Sequence, residues 1–364
     1  MQHLLLLLPI IMLAIPIKYT RVRKWSLIGI FIVLYIFSAI RYDYGNDYFS
    51  YYDKFNQLMA GGNPFGTEIV LTVVMLIFRN YYVVIAVTSA VFLVVSYFVL
   101  KKYIDQSILW LALFLFLFDV NVFYISLSAI RQMLAISFFL IAITFSYKRK
   151  PLLYLLFIAL AILSHKSSIV LIPFYFVAND KEIRELKVFY VAFISIMLTI
   201  VLLPKPVVRS VIEFALKFFG DANYDFYFGN DNGNNVGTVY NYSTIIIYLL
   251  ACLPKLKGKT LMFAKLYLVN AVLGVLCYHV SMIVRFQMYF EPFVFLAIPL
   301  IMKERYTDFF QKQENTIKNV IIFILVDVIL PLLIFRMYYV QYRWFFTDEL
   351  YARFHEYHTI FQLL

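Results

Sequence analysis

Residues 82–100, YVVIAVTSAVFLVVSYFVL, run for nineteen positions without a charge, and the basic stretch KKYID (101–105) follows at once. At 1.5 Å per residue, a helix of that length is enough to cross a hydrocarbon core about 30 Å thick. Its apolar residues fall on every side rather than at alternate positions, which excludes a barrel strand. Further runs lie at 4–17, 25–40, 68–78, 107–118, 131–147, 151–164, 167–178, 188–203, 242–254, 261–280, 286–302 and 319–338. Of the 364 residues, 63% are hydrophobic, and the mean hydropathy is +0.82. The fold class is therefore all-α, a polytopic membrane protein forming one integral domain over 1–364.

The net charge is +11, which in a soluble chain would raise nucleic-acid binding. Here the basic residues have a simpler use. KYTRVRK (18–24), KKYID, KRK (148–150), DKEIRELK (180–187), KLKGKT (255–260) and KERYTDFFQKQENTIK (303–318) hold 19 of the 32 Lys and Arg, as cytoplasmic loops do. Nucleic acid is not an expected partner; membrane lipids are. Cys252 and Cys277 both lie inside apolar runs, so no disulfide framework is read. The N-terminal run lacks a basic region and a small-residue cleavage site, so it reads as a first span rather than a removable signal.

Placing all basic loops on one face requires that 68–78 does not cross. At about 11 residues it suits a re-entrant or interfacial piece. The expectation is about 12 transmembrane helices, both termini outside, with 68–78 dipping in from the outer face. The alternative is 13 spans with one basic loop on the wrong side. Two outer loops result, 41–67 and 204–241. The second is rich in Asn, Asp, Gly and Tyr, which suits sugar hydroxyls and ring faces, or simple solvation.

No Walker loop, GxGxxG, HExxH or GxSxG occurs, which argues against nucleotide use and hydrolytic zinc. What remains are ionisable groups at the outer ends of runs, costly there unless paired or used. Arg41 closes the second run, Arg131 opens the sixth, and Arg285 opens the twelfth with Tyr289 one turn on. Guanidinium binds phosphate in a two-pronged way, so three at one depth point to a multivalent anion. Each could instead snorkel to headgroups. His165 is of the residue type suited to general-base work near neutral pH and could equally be a polar turn residue. Asp43 and Asp47, with Gly45 between them, could orient a sugar acceptor, act as reserve bases or pair with Arg41. Glu68 could cap 68–78 or face the site. Tyr42, Tyr44, Tyr48, Tyr51 and Tyr52 could anchor at the interface or offer sugar platforms. Asp327 lies mid-run and reads as neutral or bonded to a neighbouring helix. His355 and His358 lie in a charged tail and could be solvated.

These stretches resemble a family. RYDYGNDYFSYY (41–52) is similar to the R-x-x-x-G-x-D-Y-x-x-Y signature of EpsG-type, Wzy-like polysaccharide polymerases. IRQMLA (130–135), SHKSSIVLIP (164–173) and RFQMYFEPFVFLAIP (285–299) resemble its later segments, in family order. Departures are Ser168 where Ala is frequent, and Ile69 rather than Pro after Glu68. The resemblance implies a metal-free, GT-C-like membrane glycosyltransferase without cofactor. Its donor would be an undecaprenyl-diphosphate-linked oligosaccharide, its product O-antigen, capsule or exopolysaccharide, and its place the outer face of the bacterial cytoplasmic membrane, with a chain-length regulator as a possible partner. Arg41, Arg131 and Arg285 would hold the lipid diphosphate. His165, with Asp47 or Asp43 in reserve, would take the acceptor proton, and Tyr48, Tyr289 and Glu68 would contact sugar. Other classes are a lipid-linked oligosaccharide flippase and a membrane acyltransferase. A ligase moving finished glycan shares the same chemistry.

Overall fold

Asn80 starts a helix in the computed structural model, which describes residue 10 and residues 20–183, 185–217, 236–312 and 316–363. Its side chain accepts from the backbone N–H of Tyr82 and Val83, at 3.0 and 3.2 Å, satisfying two of the donors a helix start leaves unpaired. The helix so capped, Tyr81–Tyr103, carries Lys101 and Lys102 in its last turn, where the helix dipole favours cations. It contains the whole 82–100 run. The preceding helix, Ile69–Phe78, stops because Arg79 turns left-handed, at φ +48°. With 10 residues it rises about 15 Å, half the hydrocarbon thickness.

The described residues fall into two compact units, one comprising residues 1–178, 298–300 and 338–364, the other 179–297 and 301–337. In chain order the first holds α1 (Thr20–Ala39), α2 (Tyr48–Met59), α3 (Ile69–Phe78), α4 (Tyr81–Tyr103), α5 (Leu109–Phe118), α6 (Phe123–Ser126), α7 (Ile130–Tyr147) and α8 (Pro151–Ser164). α7 and α8 form a hairpin, and α3 packs on α4 and α8. α8 ends at His165, whose extended backbone breaks the helix, and Lys166–Tyr175 continues as a tighter 3₁₀ turn containing Pro173. So long a 3₁₀ stretch is held by outside partners. The Tyr154 hydroxyl donates to Leu171 O at 2.6 Å, and Ser146 Oγ bonds the carbonyls of Tyr175 and Ala178.

The C-terminal segment belongs to this unit as well. His358–Thr359 (β2) pairs antiparallel with Arg41–Tyr42 (β1), Arg41 opposite Thr359. Tyr357 stacks on Phe37 at 4.1 Å and donates to its carbonyl at 2.6 Å. The expected solvated tail is therefore partly docked, because aromatic rings at 354 and 357 pack on Tyr44.

The second unit contains α9 (Leu186–Leu202), α10 (Lys205–Lys217), α11 (Val236–Cys252), α12 (Gly258–Leu276), α13 (Val284–Gln287), most of α14 (Val294–Lys312) and α15 (Ile317–Phe323). α10 lies at 114° to α9. α11 and α12 approach closely at Gly274, where a Cβ would collide with the Tyr242 ring. After α15 the chain widens into a π-turn, Ile324–Ile329, then continues as α16 (Leu330–Phe345). Pro331 cannot donate to the Asp327 carbonyl, and the Tyr306 hydroxyl fills that gap at 3.2 Å. The buried Asp327 carboxylate takes both Nε and Nη2 of Arg305, at 2.8 and 2.7 Å, so it is paired with a neighbouring helix.

Among the described residues five helices are long and apolar enough to cross a membrane, or seven if two bent pairs each count once. Four more apolar helices are shorter, 10–17 residues. The run at 4–17, apart from residue 10, and the 218–235 part of the second outer loop lie outside the described residues.

Candidate active site

Three helix breaks in the first unit bring the site together. After α2 the chain turns through Gly61 and Gly66, both at positive φ, and delivers Glu68 to the start of α3. α7 begins just before Arg131, and α8 breaks at His165. The Glu68 carboxylate makes no bond to the start of its own helix. One oxygen, Oε1, faces His165 Nδ1 at 3.0 Å and accepts from the backbone N–H of Lys166, also at 3.0 Å. The other, Oε2, forms an ion pair with Arg131 Nη1.

Side-chain exposure is 7% for Glu68, 16% for His165 and 24% for Arg131, so the cluster is recessed but reachable. Burial pushes the Glu68 carboxyl up. The His165 hydrogen bond, the Arg131 charge and the Lys166 N–H outweigh it and hold the group down at about 2. Glu68 is therefore a carboxylate at physiological pH. A carboxylate only accepts, so Nδ1 carries the proton in this contact, and Nε2 is the ring nitrogen turned away from Glu68.

Arg131 is held from a second side. The Tyr51 hydroxyl lies 3.4 Å from its Nε, and its Cζ stands 5.9 and 5.6 Å from the ring centroids of Tyr51 and Phe65. Those two rings stack, 6.5 Å apart and 23° from parallel. Tyr51 belongs to the buried face of α2, Tyr48, Tyr51, Phe55 and Leu58, which follows helical spacing. That spacing is the sequence signal by which Tyr51 could have been chosen among the five tyrosines.

Arg41 lies in the same unit, and its guanidinium is wholly buried. It donates to Ser38 O, to Ser89 Oγ at 3.0 Å and to Leu127 O at 3.1 Å, binding the end of α1 to α4 and to the turn before α7. Burial lowers its pKa to about 10. Gly45 sits against that same turn at φ +113°, where a Cβ would stand 2.9 Å from Leu127 O. Asp47 follows, exposed, its backbone N–H bonded to Ser128 Oγ at 3.1 Å. Asp43 pairs with Arg353 rather than Arg41, and Arg353 lies 5.0 Å above the Phe49 ring. No sequence signal marked Arg353. Tyr48 is buried, with its ring against Tyr42, Phe49 and Tyr81.

Arg41, Asp43, Asp47, Tyr48, Glu68, Arg131 and His165 thus come from four separated stretches to one neighbourhood of the first unit. Arg285 and Tyr289 belong to the second unit. Arg285 is half-buried on α13 and Tyr289 is fully buried beyond it. Beside them the Gln287 amide donates to Glu291 at 3.1 Å, and Cys277 Sγ contacts Gln287 Oε1 at 3.4 Å.

Fold and site describe a membrane-embedded helical protein whose buried carboxylate holds an imidazole on one oxygen and a guanidinium on the other. The model of the EpsG family matches residues 24–346, and the chain belongs to that family, whose members are associated with membrane polysaccharide polymerisation. No curated protein and no solved structure matches the chain.

Proposed function

We propose that the protein is a polysaccharide polymerase that joins undecaprenyl-diphosphate-linked oligosaccharide repeat units into a surface glycan, O-antigen, capsule or exopolysaccharide. The observation that carries this reading is the shared carboxylate of Glu68, which sets a base and a cation side by side. The acceptor hydroxyl gives its proton to His165 Nε2, with Asp47 or Asp43 as reserve. Its oxygen attacks the anomeric carbon of the growing chain, the bond from that carbon to the lipid diphosphate breaks, and the bonding pair leaves on the bridging oxygen. Arg131 stabilises the charge growing there, which lowers the barrier because the charge is larger in the transition state than in the bound substrate. Glu68 stabilises the imidazolium that forms. A single displacement of this kind inverts the anomeric centre.

In this reading Arg41 acts by fixing the turn that carries Gly45 and Asp47. Tyr48 shapes the sugar side in the first unit, and within the second unit Arg285 is a diphosphate-binding candidate and Tyr289 a sugar-binding one. The full chain has about 12 spans in a GT-C-like arrangement, α3 enters from the outer face, and the site faces outward from the cytoplasmic membrane. A chain-length regulator is a further partner of the protein. The test is purified protein given a lipid-linked repeat unit, with a chelator present, and glycan ladders resolved on a gel. A ladder that persists with chelator is expected. Translocation without lengthening would replace the polymerase by a flippase, and lengthening only with added metal would remove the arginine mechanism.

A further inference from the structure

We infer that Lys54 is the second cation of the site's mouth, and that together with Arg131 it selects a diphosphate over a monophosphate. This rests on the reading above that the donor is a lipid-linked diphosphate.

Lys54 sits on α2, one turn beyond Tyr51. Its Nζ lies 5.7 and 5.8 Å from the ring centroids of Tyr51 and Phe65, the same two rings that Arg131 approaches to 5.9 and 5.6 Å. Two cations therefore border one stacked aromatic pair. Glu68 compensates Arg131, but among the described residues Lys54 has no ion pair. Burial and the Arg131 charge both lower the Lys54 pKa, against smaller opposing effects of Asp47 and Glu68. The half-buried ammonium therefore sits in the field of Arg131, which Asp47 and Glu68 offset only in part.

The geometry also says which anion. Arg41 is buried, and both terminal nitrogens of its guanidinium donate to protein oxygens. Arg131 gives Nη1 to Glu68 and Nε to the Tyr51 hydroxyl, so Nη2 is the end it turns to a phosphoryl oxygen. A second phosphoryl group bonded to the first reaches towards Lys54, whose long stem lets the ammonium follow it. A monophosphate leaves Lys54 unmatched.

The competing account is that Lys54 merely caps the Tyr51–Phe65 pair by a cation–π contact. The experiment uses full-length protein in nanodiscs and measures binding of farnesyl diphosphate and farnesyl monophosphate. Wild type, Lys54→Gln, Lys54→Met and Lys54→Arg are compared, each with its melting temperature. Wild type should prefer the diphosphate. Lys54→Gln should bind the diphosphate about tenfold more weakly, the order for one charge-assisted contact at a half-exposed site, with little change for the monophosphate. Lys54→Arg should restore the preference, and Lys54→Met, which keeps the apolar stem, should behave as Gln does. Equal losses for both ligands, or none in a variant with normal melting, would overturn the inference. Elongation of a lipid-linked repeat unit by wild type is run alongside. Failure there refutes the polymerase reading, whereas elongation with the diphosphate preference intact in Lys54→Gln refutes the role of Lys54 alone.

Discussion

Glu68→Gln removes one charge while keeping the shape of the side chain. In the native protein the carboxyl is held at about 2 rather than its ordinary 4.5, a preference for the charged form of about 3 kcal/mol. The group's pKa is lowered on folding, so this stabilisation is present above pH 4.5 and is lost as pH falls towards 2. The amide can still accept from His165 Nδ1, but it cannot balance Arg131 or the imidazolium that forms during proton transfer. Losing the charge that steadies Arg131 and the forming imidazolium should slow elongation by roughly 10²–10³, the range for removing one electrostatic contact to the transition state. The assay is the initial rate of glycan elongation by purified variant and wild type at neutral pH, paired with thermal unfolding from pH 7 down to pH 3. The variant should be slower, should melt lower at neutral pH, and should lose less stability than wild type on acidification. A variant that elongates at the wild-type rate and melts as wild type at every pH would refute the electrostatic role given to Glu68.

Gly45→Ala places a Cβ 2.9 Å from Leu127 O at a φ of +113°, so it should lower the unfolding free energy by about 1–3 kcal/mol, read as a drop in melting temperature. Asp327→Ala strands the buried Arg305 guanidinium, with an expected loss of about 3–5 kcal/mol and a sharp fall in membrane-inserted protein on a detergent melting assay. Arg353→Ala breaks a half-exposed pair with Asp43 and should cost at most about 1 kcal/mol, with elongation close to wild type.

Much of the first unit was legible in the sequence. The 82–100 run is a helix because nothing in it interrupts an apolar stretch, and Asn80 and the two lysines mark its ends. Glu68, Arg131 and His165 were each visible as charged or polar groups at the edge of a run, and the structure joins them through one carboxylate. The pairing itself was not legible, since no local spacing links residues 68, 131 and 165. Nor were the breaks within apolar runs. The 3₁₀ stretch after His165 depends on hydrogen bonds from Ser146 and Tyr154, and the π-turn at 324–329 accompanies Pro331 and the distant Arg305 and Tyr306. Helices apolar on all sides carry no periodicity that reveals such partners. Arg41 shows the same limit. Its position reads like those of Arg131 and Arg285, and only the surrounding acceptors, Ser38, Ser89 and Leu127, distinguish it.

The most direct measurement of the account is single-turnover elongation of a defined lipid-linked repeat unit by His165→Ala in a preparation whose melting temperature matches wild type. A base acting at Nε2 predicts a loss of about 10²–10⁴ in rate with substrate still bound. Elongation at the wild-type rate by this folded variant would contradict it.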